Sequence, residues 1–163
     1  MSSIQQTLLS DLVTQLQTMS ISNGYRQNYA LVDTTFKGID AITSFPEVMV
    51  FLGDSYLNAE DAGKTIFSEH TNIIVAVAIK STTLQTKNAN NDLSDQAEIA
   101  IHDVTKCLTA FVRTNINDAN KRYLVEGKDG LFKIYRLFPL TENTGIVEFN
   151  FTIKVRWNTS STF

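Results

Sequence analysis

The sequence predicts an α+β fold in which a mainly antiparallel five-stranded sheet carries two helices packed on one face, in the order αβββαββ. Three observations predict this class. Apolar residues alternate strictly from Val147 to Trp157, which is typical of a strand with one buried face. Apolar residues recur every three or four positions in residues 3–19 and again after Asp92, which indicates two amphipathic helices. Short turns join consecutive apolar segments, and this favours antiparallel pairing.

The first predicted helix covers residues 3–19 and ends at the turn residues Ser22-Asn23-Gly24. A first strand is predicted over residues 29–36, and the turn Lys37–Asp40 follows it. Pro46 opens the second strand, where its missing N–H does little harm. The apolar stripe of the helix consists of Ile4, Leu8, Leu12, Leu16 and Met19, widened by Leu9 and Val13.

The second strand is predicted over Glu47–Leu52, and the polar stretch from Gly53 to Lys64 is predicted to be a loop. The third strand covers residues 66–80. Residues 81–92 are polar and low in aromatic residues, so we expect a flexible loop there. Such a segment buries too little apolar surface to offset the entropy of ordering it.

Asp92 or Ser94 is predicted to cap a second helix that runs to about Asn115. Two strands follow, over Tyr123–Leu137 with a break near Gly127–Gly130, and over Gly145–Trp157. Residues 158–163 form a short polar tail that we expect to be mobile. The core face of the second helix is predicted to consist of Leu93, Ala97, Ala100, Ile101, Val104, Leu108 and Phe111.

Length and composition predict one domain over residues 1–163, because 43% of the residues are hydrophobic and can form one core. The net charge of −3 gives no basic field that would gather nucleic acid or anionic lipid. The single cysteine, Cys107, predicts no intrachain disulfide and a reducing compartment. The N-terminus lacks the pattern of a signal peptide, and the longest apolar run, Ile73–Ile79, is too short for a bilayer span. We therefore expect a soluble protein made in a cytoplasm.

The sequence contains no recognisable set of catalytic residues, so we predict no enzyme and no cofactor. Phosphate-binding glycine loops, nucleophile elbows and HExxH motifs are all missing from the sequence. The best metal candidate is Asp95, Glu98 and His102, which share one helical face. A solvated helix face explains the same three residues better, because acidic side chains favour the first turn of a helix. His102 and Cys107 face apart on a helix, so we expect no nucleophile pair and a core role for the cysteine.

A basic group near the end of the second helix could bind nucleic acid. Arg113, Lys121 and Arg122 precede Tyr123, and an aromatic ring in a basic groove can stack on a base. Cations also favour helix C-termini for electrostatic reasons, and the chain as a whole is acidic. Direct nucleic-acid binding is therefore kept as an alternative to a structural role.

The length of the last strand indicates a protein that assembles. At about 3.3 Å per residue it would span roughly 36 Å, about twice a typical strand. Such a strand can extend past its own domain and meet a neighbour, and its polar face carries charges of both signs. The predicted subunit and partner interface consists of Glu148, Lys154, Arg156, Trp157, Arg113, Lys121, Arg122 and Phe163.

Taken over its whole length, the chain resembles the tail-terminator and neck-type (tail-completion) proteins of long-tailed bacteriophages. The resemblance is carried by turns and apolar patterns. The segments concerned are the leading helix, the turn Asn23-Gly24-Tyr25, Phe36–Asp40, Phe45–Asp54, Ile101–Val104 and Phe149–Arg156.

The resemblance implies a non-enzymatic virion protein of the tail and neck, assembled in the host bacterial cytoplasm. Its expected form is a homo-oligomeric, hexameric ring at the head-facing end of the tail tube. The ring would end tube polymerisation and offer a docking surface. Its expected partners are itself, the tail tube protein and neck or head-completion proteins, with DNA only as passing cargo and no membrane. The alternatives are a head–tail joining protein of a related neck group, or a ligand- or nucleic-acid-binding α+β module.

Overall fold

Six strands form one sheet, and two helices pack against one of its faces, which confirms the predicted α+β class. The computed structural model describes residues 4–35, 37–59, 66–82, 86–116, 123–126 and 132–158. Two short 3-10 turns, at Ile21–Asn23 and Ile39–Ala41, lie between these elements. The elements are α1 (Ile4–Leu16), β1 (Leu31–Asp33), β2 (Glu47–Ala59), β3 (Ile66–Lys80), α2 (Thr86–Ile116), β4 (Tyr123–Glu126), β5 (Lys133–Pro139) and β6 (Thr144–Asn158).

The sheet is mainly antiparallel, as predicted, with one parallel pair at its edge. The strand order is β1-β2-β3-β6-β4, and β5 also pairs with β6. Because β3 covers the whole of one side of β6, β4 and β5 lie one after the other along its other side. The six strands therefore occupy five positions, and the single interrupted strand predicted over Tyr123–Leu137 is in fact two. Residues 127–131, where the break was predicted, lie outside the described residues.

The main core lies between the helices and the sheet. In α1, Leu8, Leu12 and Leu16 are fully buried, as the apolar stripe predicted. Alternate residues of the three longest strands face them. The predicted stripe of α2 is buried throughout. The sheet residues of this core are Val48 and Val50 from β2, Ile73, Val75, Val77 and Ile79 from β3, and Val147, Phe149, Phe151, Ile153 and Val155 from β6.

The opposite face of the sheet, called the open face below, carries a smaller apolar cluster at one end. Met49, Ala76 and Ala78 are buried there, and Ile42 and Phe45 from the segment before β2 pack on them. This cover lies over the N-terminal half of β2. Within the described residues, no helix packs against the rest of the open face.

The bounds predicted for the first strand are wrong. The first strand has only three residues, Leu31–Asp33, and pairs in parallel with the start of β2. It ends where the Asp33 carboxylate accepts the Thr35 N–H at 3.0 Å and contacts Lys37 at 3.2 Å. These contacts turn the chain and hold the pKa of Asp33 below its usual value.

The polar segment 81–92 is not a loop over most of its length, because α2 already begins at Thr86. Asp92 lies inside this helix and does not cap it. Its carboxylate instead accepts hydrogen bonds from the Ser81 hydroxyl at 2.6 Å and from the backbone N–H and hydroxyl of Thr82. The segment between β3 and α2 is therefore held from within the helix. Residues 83–85 lie outside the described residues.

Candidate functional site

The long last strand is confirmed, but it lies inside the sheet. β6 has fifteen residues, Thr144–Asn158, and β3 matches it along its whole length. On its other side β5 pairs with residues 145–150 and β4 with residues 152–155. The expectation that this strand extends past its domain is therefore wrong for the described residues. A partner can reach its side chains only from the open face.

The structure brings together only part of the predicted interface. Glu148 and Lys154 both lie on the open face and are half-buried, with Lys154 in register with His70. Arg113 lies apart from them, exposed near the C-terminal end of α2. The side chains of Arg156 and Trp157 lie outside the described residues, as do the whole of Lys121, Arg122 and Phe163.

A hydrogen-bonded polar row crosses the open face beside Glu148. Asn72 donates from Nδ2 to Asn150 Oδ1 at 3.3 Å, and Asn150 donates from Nδ2 to Glu148 Oε1 at 2.6 Å. Further along β3, the His70 ring stacks on Tyr56 with ring centroids 4.7 Å apart. These side chains hold one another in place, so the open face is an ordered surface on which a partner could dock.

The residues nearest to a nucleophile set form a structural clamp instead. Cys107 is buried and donates its S–H to the Gln15 carbonyl at 3.3 Å, and burial raises the pKa of its thiol. A reactive cysteine needs the opposite shift, towards thiolate. The buried Asp103 carboxylate accepts the Arg26 N–H and the Tyr29 hydroxyl. This arrangement ties the segment after α1 to α2.

The predicted metal candidates do not converge on one point. Glu98 forms an ion pair with Arg136 of β5, and His102 contacts Asp103 at 3.3 Å. Asp95 is exposed on α2. Among the described residues, no three His, Cys, Asp or Glu side chains lie close enough to hold a metal ion.

Exposed apolar side chains mark two opposite edges of the sheet, a feature that sequence reasoning missed. Six large hydrophobic side chains are exposed in the described part of the chain, and five belong to these edges. On β2 they are Leu52, Tyr56 and Leu57, which are 38–65% exposed. At the end of β5 they are Phe138 and Leu140, which are 45% and 47% exposed.

The exposed end of β2 exists because the strand continues where a loop was predicted. Its register against β3 shifts between Leu52 and Ser55, so Gly53 and Asp54 form a β-bulge and pairing resumes beyond it. The Ser55 and Thr71 hydroxyls are 2.8 Å apart just past the bulge. A Cβ atom on Gly53 would lie 3.1 Å from Asn72 Nδ2, which explains the glycine. In the sequence, the apolar pair Tyr56-Leu57 was the signal that the strand continues. Whether these side chains are buried or exposed depends on the strand beside them.

The fold and these surfaces define an α+β protein with an ordered open face and two apolar sheet edges. Comparison with known protein-family models gave no match, and comparison with curated proteins gave no significantly similar sequence. Among the described helices, none combines the length and apolar character needed to cross a bilayer.

Proposed function

We propose that this chain is a structural subunit that forms a ring at the head-proximal end of a phage tail tube. The ring ends tube polymerisation and offers a docking surface to the neck. The observation that carries the proposal is the placement of exposed apolar side chains on two opposite edges, Leu52, Tyr56 and Leu57 on one and Phe138 and Leu140 on the other.

Two different apolar surfaces on opposite edges favour head-to-tail association. A two-fold dimer buries one patch against its own copy and would leave the other edge exposed. A head-to-tail contact buries both edges of every subunit once the rotation closes the ring. Contiguous exposed apolar surface in a globular protein commonly marks such an interface.

The location at the tail end rests on the resemblance of the whole chain to phage tail-terminator and neck-type proteins. The open face supports that role, because its polar row around Asn150 and Glu148 is ordered and half-exposed. In a ring built through the sheet edges, this face stays clear of the contact between subunits. The same ring would also serve a head–tail joining protein, so the experiment must follow tube growth.

The test combines the mass of the full chain with an assay of tube length. Mass photometry of the purified protein should show a closed oligomer, with a hexamer expected. Adding it to the tail tube protein of the same virus during polymerisation should shorten the tubes and leave electron density capping one end. The tube protein alone is the control. A subunit that stays monomeric with and without tubes, and that leaves tube length unchanged, refutes the proposal.

A further inference from the structure

We propose that the outer edge of β2, from Leu52 to Asn58, pairs with the outer edge of β5 of a second copy, forming an antiparallel ladder between subunits. This inference rests on the proposed ring and names the contact that closes it. It follows from four features of the two edges: their unpaired backbone, their length and direction, their shape, and their charge.

The backbone of β2 lacks a described partner on its outer side over this segment. β3 pairs with β2 on one side, and on the other side β1 reaches only Glu47–Met49. From Leu52 to Asn58, no described strand lies on the outer side, so a row of N–H and C=O groups faces outward there. Lysine and proline, which often protect such an edge, are absent from this segment. The bulge at Gly53 and Asp54 and the Asp54 charge are confined to one point of it.

The β5 edge matches this segment in length and direction. β5 has seven residues, Lys133–Pro139, as many as Leu52–Asn58. β2 is antiparallel to β3, β3 to β6, and β6 to β5, so the strands at the two edges run in opposite directions. A neighbour related by rotation about an axis along the strands would therefore present β5 antiparallel to β2, the arrangement that short extended segments form most readily.

The shape of the β2 edge fixes where the incoming strand can lie. β1 fills the position beside the first three residues of β2 and leaves a step beyond its end. A strand of about seven residues fits this step, with its last residue towards β1. Pro139 ends β5 and has no N–H to donate, so it suits the end of the ladder that abuts β1.

Charge and apolar side chains also match across the proposed contact. Asp54 is exposed on β2, and Lys133 and Arg136 are exposed on β5, where Arg136 also pairs with Glu98 of α2. Register places both Tyr56 and Phe138 on the open face, since Tyr56 pairs with His70 and Phe138 with Ile146. The two aromatic rings would therefore lie on one side of the shared ladder. The opposite charges of the two edges favour this pairing over contact of either edge with its own copy, and the aromatic rings add buried area.

A pair of charge variants tests the chemistry of the contact. Asn58→Lys alone places a second cation opposite Lys133 and should raise the subunit concentration for half-assembly roughly tenfold. The double variant Asn58→Lys/Lys133→Asp should restore it to within about twofold of the natural chain. Ile21→Lys, at the one exposed large apolar residue of the described chain that belongs to neither edge, is the matched control and should leave assembly unchanged. Circular dichroism and thermal melts establish that every variant is folded.

Cross-linking tests the geometry directly. Neighbouring antiparallel strands place facing Cα atoms about 4.5–5.5 Å apart, within reach of a disulfide. Asn58 and Lys133 are both exposed and lie on the open face, and the natural Cys107 is buried. The double variant Asn58→Cys/Lys133→Cys should give a ladder of covalent oligomers on oxidation. Tyr56→Cys/Lys133→Cys tests the register two residues away.

The outcomes separate this inference from the proposed ring. A covalent ladder in either double variant, with neither single variant forming one, supports the contact. A covalent dimer from Asn58→Cys or Tyr56→Cys alone means that two β2 edges pair with each other and overturns it. An oligomer of unchanged mass without cross-links or charge dependence also overturns it, while the ring itself stands. A chain that is monomeric throughout overturns both.

Discussion

Replacing Asp103 with alanine should destabilise the fold by removing the clamp between α2 and the segment that follows α1. The Asp103 carboxylate is fully buried. Its two oxygens share the Arg26 N–H at 3.1 Å each, and one of them accepts the Tyr29 hydroxyl at 3.2 Å. Asp103→Ala leaves the backbone N–H of the exposed Arg26 and the hydroxyl of the half-buried Tyr29 without this acceptor.

The magnitude follows from the two lost hydrogen bonds. A bond to a charged acceptor contributes about 1.5–3 kcal/mol net, and the long distances around Asp103 place both bonds near the lower end. Removing the buried carboxylate also removes its desolvation cost, which offsets part of the loss. We therefore expect the free energy of unfolding to fall by about 2–3 kcal/mol. For a chain of 163 residues this corresponds to a decrease in Tm of about 4–12 °C.

Urea unfolding and thermal melts, followed by circular dichroism, measure this change. Asp95→Ala is the matched control, because it removes an exposed carboxylate from the same helix and should change the free energy of unfolding by no more than about 0.5 kcal/mol. Asp103→Asn keeps one acceptor oxygen and should fall between the two. If Asp103→Ala melts within about 2 °C of Asp95→Ala, the carboxylate does not hold this segment and the reasoning fails.

Three further predictions concern other parts of the fold. Lys37→Ala removes the ammonium 2.8 Å from the buried Glu47 carboxylate and should lower the midpoint of urea unfolding, because the carboxylate is left buried without this partner. An unchanged midpoint would mean that other groups stabilise the Glu47 carboxylate equally well. Gly145→Ala places a Cβ atom 2.7 Å from Leu137 Cδ1 and 3.1 Å from the Phe138 carbonyl oxygen, so the free energy of unfolding should fall by about 1–3 kcal/mol in the same urea titration. An unchanged free energy of unfolding would show that β5 and β6 can shift to accommodate the methyl group. Burial raises the pKa of the Cys107 thiol above its usual 9.0, so the unfolded chain releases this proton at a lower pH than the folded protein, and the free energy of unfolding should fall as the pH rises above about 9. Cys107→Ala should remove this part of the pH dependence. Rapid labelling of the native thiol at pH 7 would contradict its burial.

The sequence by itself determined those elements whose side chains face one continuous core. The stripe of α1, the bounds of β3 at residues 66 and 80, and the long β6 all followed from periodicity. In each case burial on one side imposes a period of 3.6 or 2 on the apolar residues, and that period is visible without knowledge of the partner.

The prediction from periodicity failed where a β-bulge changes which face of the sheet the alternating side chains point to. The bulge at Gly53 and Asp54 puts Leu52 and Ser55 on the same face of the sheet. This interrupts the alternation of apolar residues that is typical of a strand, so the sequence pattern predicts a loop there. At Asp92 the sequence offered a good helix cap, but the side chain binds Ser81 and Thr82 and the helix starts earlier. A local capping preference cannot reveal a hydrogen-bond partner that only tertiary packing supplies.

Only the tertiary structure decided which strands lie inside the sheet and which lie at its edges. β6 has the pattern of an assembly strand, yet β3, β4 and β5 pair with both of its sides. β2 has a weaker pattern, yet its second half carries Leu52, Tyr56 and Leu57 at an edge without a described partner. Side-chain periodicity records which face of a strand is buried. The hydrogen bonds that make a strand interior or peripheral run in the plane of the sheet and depend on residues far away in the sequence.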